Sequence, residues 1–150
     1  MTARRRAPAQ ALVEAALVIP LLLLIAFGGI GAGRLIQVRM ALSSVAREAA
    51  RTASLGEMPS ATSRSSQARR TAEEEGRATG ERVAQGLGLR GPIDVNVDAD
   101  PYQPGGWVTA TVRYTVSEND LPLIRSVIGP RIEFTAKHVE PIDRWRGLAP

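Results

Sequence analysis

Between Glu14 and Arg34 the chain carries no charge. The intervening "AALVIPLLLLIAFGGIGAG" is apolar or small at every position, which predicts a helix without a polar face. At a rise of ~1.5 Å per residue, roughly 19 residues cover about 30 Å, the hydrocarbon thickness of a bilayer. Pro20 removes one backbone donor inside this run, so a kink or local loosening toward Ala16 is expected. After Arg34 the pattern changes. Leu35, Val38, Leu42, Val45, Ala49 and Thr52 recur three and four apart, while Arg39, Arg47, Glu48 and Arg51 fall elsewhere. The helix is expected to continue as an amphipathic one to about Ser54, stopping before Gly56 and Pro59.

Residues 58–66 read as a loop. The following "QARRTAEEEGRATGERVAQGL" reads as a second, weakly amphipathic helix. Arg69–Glu73, Arg70–Glu74 and Glu73–Arg77 are spaced for ion pairs, "EEE" reads as a solvated face, and Gly76 and Gly80 weaken the helix. Then the period shortens to two. "IDVNVDA", "WVTATVRYTVS" and "RIEFTAKHV" alternate as strands do. Val108, Ala110, Val112, Tyr114 and Val116 share one face, as do Ile132, Phe134 and Ala136. "DPYQPGGW" makes the first connection, and "ENDLPLIRSVIGP" is a longer crossing with room for a short helix. Three strands need a cover for their apolar face, and the amphipathic half of the long helix is the natural candidate. The expected class is α+β: a long N-terminal transmembrane and amphipathic helix, a second helix, and a small antiparallel β-meander outside the membrane.

Composition refines this picture in two places. Aromatic residues are 4% of the 150, so a core must rest on Val, Ile, Leu and Ala and will be thin. The formal charge of +4 suggests nucleic acid until its location is noticed, because Arg4, Arg5 and Arg6 supply three of those charges. A basic block beside an apolar run is a topology signal rather than a phosphate-binding surface. It is expected to hold the N-terminus in the cytoplasm and so to place everything beyond Arg34 outside. No nucleic-acid partner is expected; the lipid bilayer is. The chain has no cysteine, so neither disulfides nor thiolate metal sites are available.

Three processing fates fit a basic block followed by an apolar run. A secretory signal peptide would be cut near "GGIGAG" and release a soluble module. A signal anchor would stay whole and hold an accessory domain outside. A prepilin-type segment would lose a short leader on the cytoplasmic side and keep the helix. The first competes with an apolar run longer than usual and a helical pattern that continues past the supposed cut.

The order of residues favours the third fate. Prepilin-type N-termini combine a short basic leader, a small residue at the cut and a glutamate fifth in the mature chain. Here the leader would be "MTARRRAPA", the cut would fall between Ala9 and Gln10, and "QALVE" makes Glu14 the fifth residue. Residues 8–54, with "QALVEAALVIPLLLLIAFGGIGAGR" continuing into "ALSSVAREAARTAS", resemble the TadE-like family of pilus-assembly proteins. Its members read Gly-Gln-Ala-Leu-Val-Glu-Phe-Ala-Leu, then Pro and a leucine run, then Gly-Arg. The chain departs at Ala9, where Gly is usual, and at Ala15, where an aromatic is usual. The resemblance implies a non-enzymatic pseudopilin without cofactors, serving a Tad-type (type IV) pilus or a related secretion machine. It implies prepilin peptidase, other pilin subunits and an inner-membrane assembly platform as partners. The chain would then sit in the cytoplasmic membrane with a filament at the cell surface as the end point. The organisation expected is a leader at 1–9, a transmembrane helix at 10–34, its continuation at 35–54, and an outer α+β domain at 55–150.

A cut after Ala9 would give Gln10 a free amine of reference pKa about 7.7–8.0. Glu14 lies four residues on, hence on the same helix face. A charge at a bilayer centre costs ~2.5–3.5 kcal/mol on insertion scales, and pairing with that amine, in the same or a neighbouring subunit, reduces the penalty. The plainer alternative is an unpaired Glu14 at the inner interface, relieved by water. Gly29 and Gly33 form a small-xxx-small pair that would admit a second helix.

Other chemistry finds little support. Asp94, Asn96, Asp98 and Asp100 alternate as at the start of a calcium loop, yet Ala99 and Gly105 stand where Gly and a carboxylate are needed. His138 is the only histidine, so neither a zinc site nor a catalytic triad is indicated, and no metal is expected. Trp107 and Trp145 are candidates for exposed partner contacts, although a strand end and a tail do not require it.

Overall fold

The computed structural model describes residues 6–58, 65–116 and 132–145, with side chains from residue 10 onward. The chain divides into two units, Met1–Leu35 and Ile36–Pro150. Helix α1 (Arg6–Leu55) is 50 residues long and runs through Pro20 without interruption.

Among the described residues, none covers the most apolar stretch of α1 in the first unit. Its most apolar window has a mean hydropathy of 2.5, and none of that window is buried. Leu17 and Leu24 are each more than two-thirds exposed. Among the described residues α1 is the one helix long and apolar enough to cross a membrane. So long an unburied apolar surface fits the expected membrane anchor.

The second unit assembles the end of α1, α2 (Ser65–Gly86), β1 (Ile93–Asp98), β2 (Trp107–Thr115) and β3 (Glu133–Pro141). The sheet is antiparallel in the order β1-β2-β3, with Val95 opposite Val112 and Tyr114 opposite Phe134. Alternation sorts the faces. Val95, Val97, Val108, Ala110, Val112 and Tyr114 are buried on one side. Phe134, Ala136, His138 and Glu140 continue that side on β3 but stay half-exposed, so the core is deepest over β1 and β2. The α1 stripe is broader than expected, because Ala46, Ala50 and Ala53 join Leu42, Val45 and Ala49 at 0–1% exposure. The crossing "ENDLPLIRSVIGP" and residues 59–64 of the expected loop lie outside the described residues.

The helices meet through small residues. Ala72, Gly76, Gly80 and Ala84 recur every four positions on α2 and are all buried. A Cβ placed at Gly76 would stand 2.8 Å from the Ala49 carbonyl oxygen and 2.9 Å from Ala53 Cβ. One at Gly80 would stand 2.9 Å from Val95 Cγ1 and 3.2 Å from Ala49 Cβ. These two glycines therefore do more than weaken α2. They set how closely α1 and β1 approach it, which corrects the expectation drawn from propensity alone. The helix packed on the sheet is α2, against β1, and its glycines also lie against α1.

Both helices of this unit end in satisfied backbone. At α2, Gly88 adopts φ +76°, and the amides of Leu89 and Gly88 donate to the Ala84 and Gln85 carbonyls at 3.1 and 3.0 Å. That is a Schellman stop, for which glycine is the natural residue. At α1, the Gly56 amide donates to the Ala53 carbonyl (3.2 Å), which also accepts from the buried Tyr102 hydroxyl at 3.1 Å. A second correction concerns "EEE". Glu74 and Glu75 are exposed as expected, but Glu73 is partly buried and accepts from the Ala99 amide at 3.2 Å. Arg69 lies 3.6 Å from Glu73 and 3.2 Å from Asp100, so this cluster ties α2 to the chain leaving β1. Arg77 reaches forward to Glu81 (4.0 Å) rather than back to Glu73.

Candidate functional site

The N-terminal candidates are carried by α1. Arg4 and Arg5 precede the described residues, Arg6 opens the helix, and Ala9 lies within it. Gln10 and Glu14 are both exposed, and helical spacing puts them on one face. From Glu14 to Arg34 the helix rises about 30 Å, so these two charges bracket one bilayer thickness of apolar surface. A Cβ at Gly28, Gly29 or Gly33 would meet nothing within 4 Å. Gly29 and Gly33 thus remain open ground for a second helix, whereas the close helix packing inside the chain occurs at Gly76 and Gly80.

The acidic row after the second helix behaves as a strand predicts. Asp94, Asn96 and Asp98 share the exposed face of β1, and Arg113, Thr111 and Thr109 stand opposite them on β2. Asp94 and Asp98 are four strand residues apart, about 13 Å, too far to share one cation. No cluster of three His, Cys, Asp or Glu able to hold a metal occurs among the described residues. His138 lies 3.0 Å from Glu140 on β3, a pair rather than a triad.

Sequence reasoning missed two things that long-range contact creates. The Glu73 tie depends on an amide 26 residues away, and the Tyr102 tie on a carbonyl 49 away, so no local pattern announces either. The tryptophans were candidates for exposed contacts, and both are exposed, Trp107 at 58% and Trp145 at 77%.

These features define a class of protein: one uncovered apolar helix, of membrane-spanning length, on a chain that also forms a small α+β unit. Comparison with protein families then narrows it. Residues 9–51 match the family model of TadE-like proteins, so the resemblance read from residue order is shown for that segment. The match starts at Ala9, beside the expected cut, and ends inside α1, so α2 and the sheet lie outside it. Comparison with curated proteins and with solved structures gave no match.

Proposed function

We propose that this chain is a non-enzymatic, pseudopilin-like component of Tad-type pilus assembly, anchored in the cytoplasmic membrane by residues 10–34. Its leader Met1–Ala9 would face the cytoplasm, held there by Arg4, Arg5 and Arg6, and be removed by prepilin peptidase between Ala9 and Gln10. The α+β unit beyond Arg34 would stand outside. The observation that carries the reading is the TadE-like match beginning at residue 9, on a helix whose most apolar window is unburied.

In this reading Glu14 has a mechanical task. The new amine of Gln10 is a positive charge at the membrane boundary, and a carboxylate one helical turn away neutralises it. If the carboxylate comes from a neighbouring subunit, the pair rewards a single axial register between helices. Gly29 and Gly33 then let those helices approach closely. Pilin subunits and the inner-membrane platform are the partners this assembly requires.

Complementation tests the proposal. A strain lacking this chain should lose its Tad pili and regain them with the native sequence. Glu14→Ala should be processed but fail to restore piliation; Glu14→Asp, which keeps the charge, should restore part of it. Full piliation with Glu14→Ala would remove the assembly role from Glu14. Unchanged piliation without the chain would refute the function itself.

A further inference from the structure

The outer face of the sheet, turned away from the buried side chains, has an order that membrane anchoring does not explain. On β1 it carries Asp94, Asn96 and Asp98; on β2, Trp107, Thr109, Thr111, Arg113 and Thr115; on β3, Glu133, Thr135, Lys137, Val139 and Pro141. A depression of about 340 Å³ lies over it, lined chiefly by Asp94, Asn96, Asp98, Thr111, Arg113 and Lys137. Trp107 stands outside that lining, farther along the same face of β2 and two residues before Thr109; it pairs across the strands with Pro141, and Val139 faces Thr109. The backbone fixes this end. Ile142 donates to the Gly106 carbonyl at 2.9 Å, Gly105 donates back to Ile142 at 3.1 Å, and Arg144 packs over Gly105.

We infer that this face binds an uncharged glycan chain, with Trp107 as the stacking platform. Three properties select that ligand. First, the lining balances two carboxylates against two cations, so a phosphate backbone gains no net attraction. The carboxylate spacing is likewise too wide for a cation. Second, carboxylate and hydroxyl acceptors alternate with guanidinium, ammonium and amide donors. Sugar hydroxyls both donate and accept, so each finds a complement along either direction of the depression. The volume falls in the range of about 300–1,000 Å³ typical of small-ligand clefts. Third, exposed apolar surface is confined to the Trp107 end. A protein partner would want its apolar anchor at the centre of the patch, ringed by polar groups. A sugar instead lays one CH-rich face on an indole and turns its hydroxyls toward the polar strip, which suits a rigid amphipathic ring.

The test uses the full chain in lipid nanodiscs, since glycosidic detergents would compete. Cellohexaose, chitohexaose and maltohexaose are titrated by calorimetry and by tryptophan fluorescence. Saturable binding of at least one is expected. Trp107→Ala should weaken it at least about tenfold and Asn96→Ala or Asp98→Ala severalfold, each tenfold step being 1.4 kcal/mol. Trp107 is more than half exposed, so its variant should keep the native melting transition, which separates lost binding from lost fold. Affinity should change less than about twofold between roughly 50 and 500 mM salt. No saturable binding of any of the three, or equal binding by Trp107→Ala, overturns the inference. So does a steep loss with salt, which would mark an anionic ligand.

Discussion

Replacing Gly76 with alanine should destabilise the second unit, although by helix propensity alone it should do the opposite. Alanine in a helix interior is favoured over glycine by ~0.8–1.0 kcal/mol. Against that stands the new methyl, placed 2.8 Å from the Ala49 carbonyl oxygen and 2.9 Å from Ala53 Cβ. Neither obstacle can rotate aside, because one is backbone and the other is a Cβ fixed to it. Relief requires α1 and α2 to separate, and overpacking of this kind costs ~1–3 kcal/mol. The net loss should be up to about 2 kcal/mol. At Gly80 the nearest atom is a Val95 methyl at 2.9 Å rather than backbone, so the loss there should be somewhat smaller, limited by the stiff χ1 of valine. Gly86→Ala is the control: nothing lies within 4 Å, and stability should rise by up to about 1 kcal/mol. Both tryptophans lie in the second unit, so urea unfolding followed by tryptophan fluorescence reports it selectively. With a slope of roughly 2 kcal/mol per M, the Gly76→Ala midpoint should fall by up to about 1 M. A midpoint raised as far as that of Gly86→Ala would refute the close-packing argument.

Other perturbations follow from the same contacts. Tyr102→Phe keeps the ring but leaves the Ala53 carbonyl without its hydroxyl donor, and should cost ~1–2 kcal/mol in the same assay. Glu73→Ala removes the acceptor of the Ala99 amide and the partner of Arg69, and should cost about 1 kcal/mol; Glu74→Ala, on the exposed face, should lie within ~0.5 kcal/mol of native. Gly88→Ala forces a Cβ onto a left-handed turn and should cost ~1 kcal/mol, read as a lowered melting temperature. If the chain is processed as proposed, Ala9→Lys puts a long charged side chain at the cut, where a small one is expected. It should leave the full-length chain in the membrane, visible as a slower band on a gel, whereas Ala9→Gly should be processed at least as well as native.

Much of the fold was legible because its determinants are local. The charge-free run between Glu14 and Arg34 announces a helix of bilayer length without reference to anything else. Alternation located all three strands, although β3 runs Glu133–Pro141, two residues beyond the expected 131–139, since pairing with Trp107 extends it to Pro141. The face assignments are untouched, because moving the ends of a strand leaves the alternation of its side chains as it was. What was not legible depends on partners distant in sequence. A glycine in a polar helix shows only its propensity cost until α1 is known to lie against it. Glu73 looks like its neighbours Glu74 and Glu75 until the chain leaving β1 returns to it. The candidate site divides in the same way. Gln10 and Glu14 are legible from spacing, since both sit on one helix. The outer face with Trp107 needed the register of three strands before its residues became neighbours.

The central claim is that the chain is a processed, prepilin-like subunit, and the native N-terminus tests it most directly. The protein is purified from a cell with an active prepilin peptidase and its N-terminal peptide identified by mass spectrometry. The account predicts a chain that begins at Gln10, with Glu14 as its fifth residue. A mature chain that still begins at Met1, or one that begins near Arg34 after signal cleavage, would contradict it.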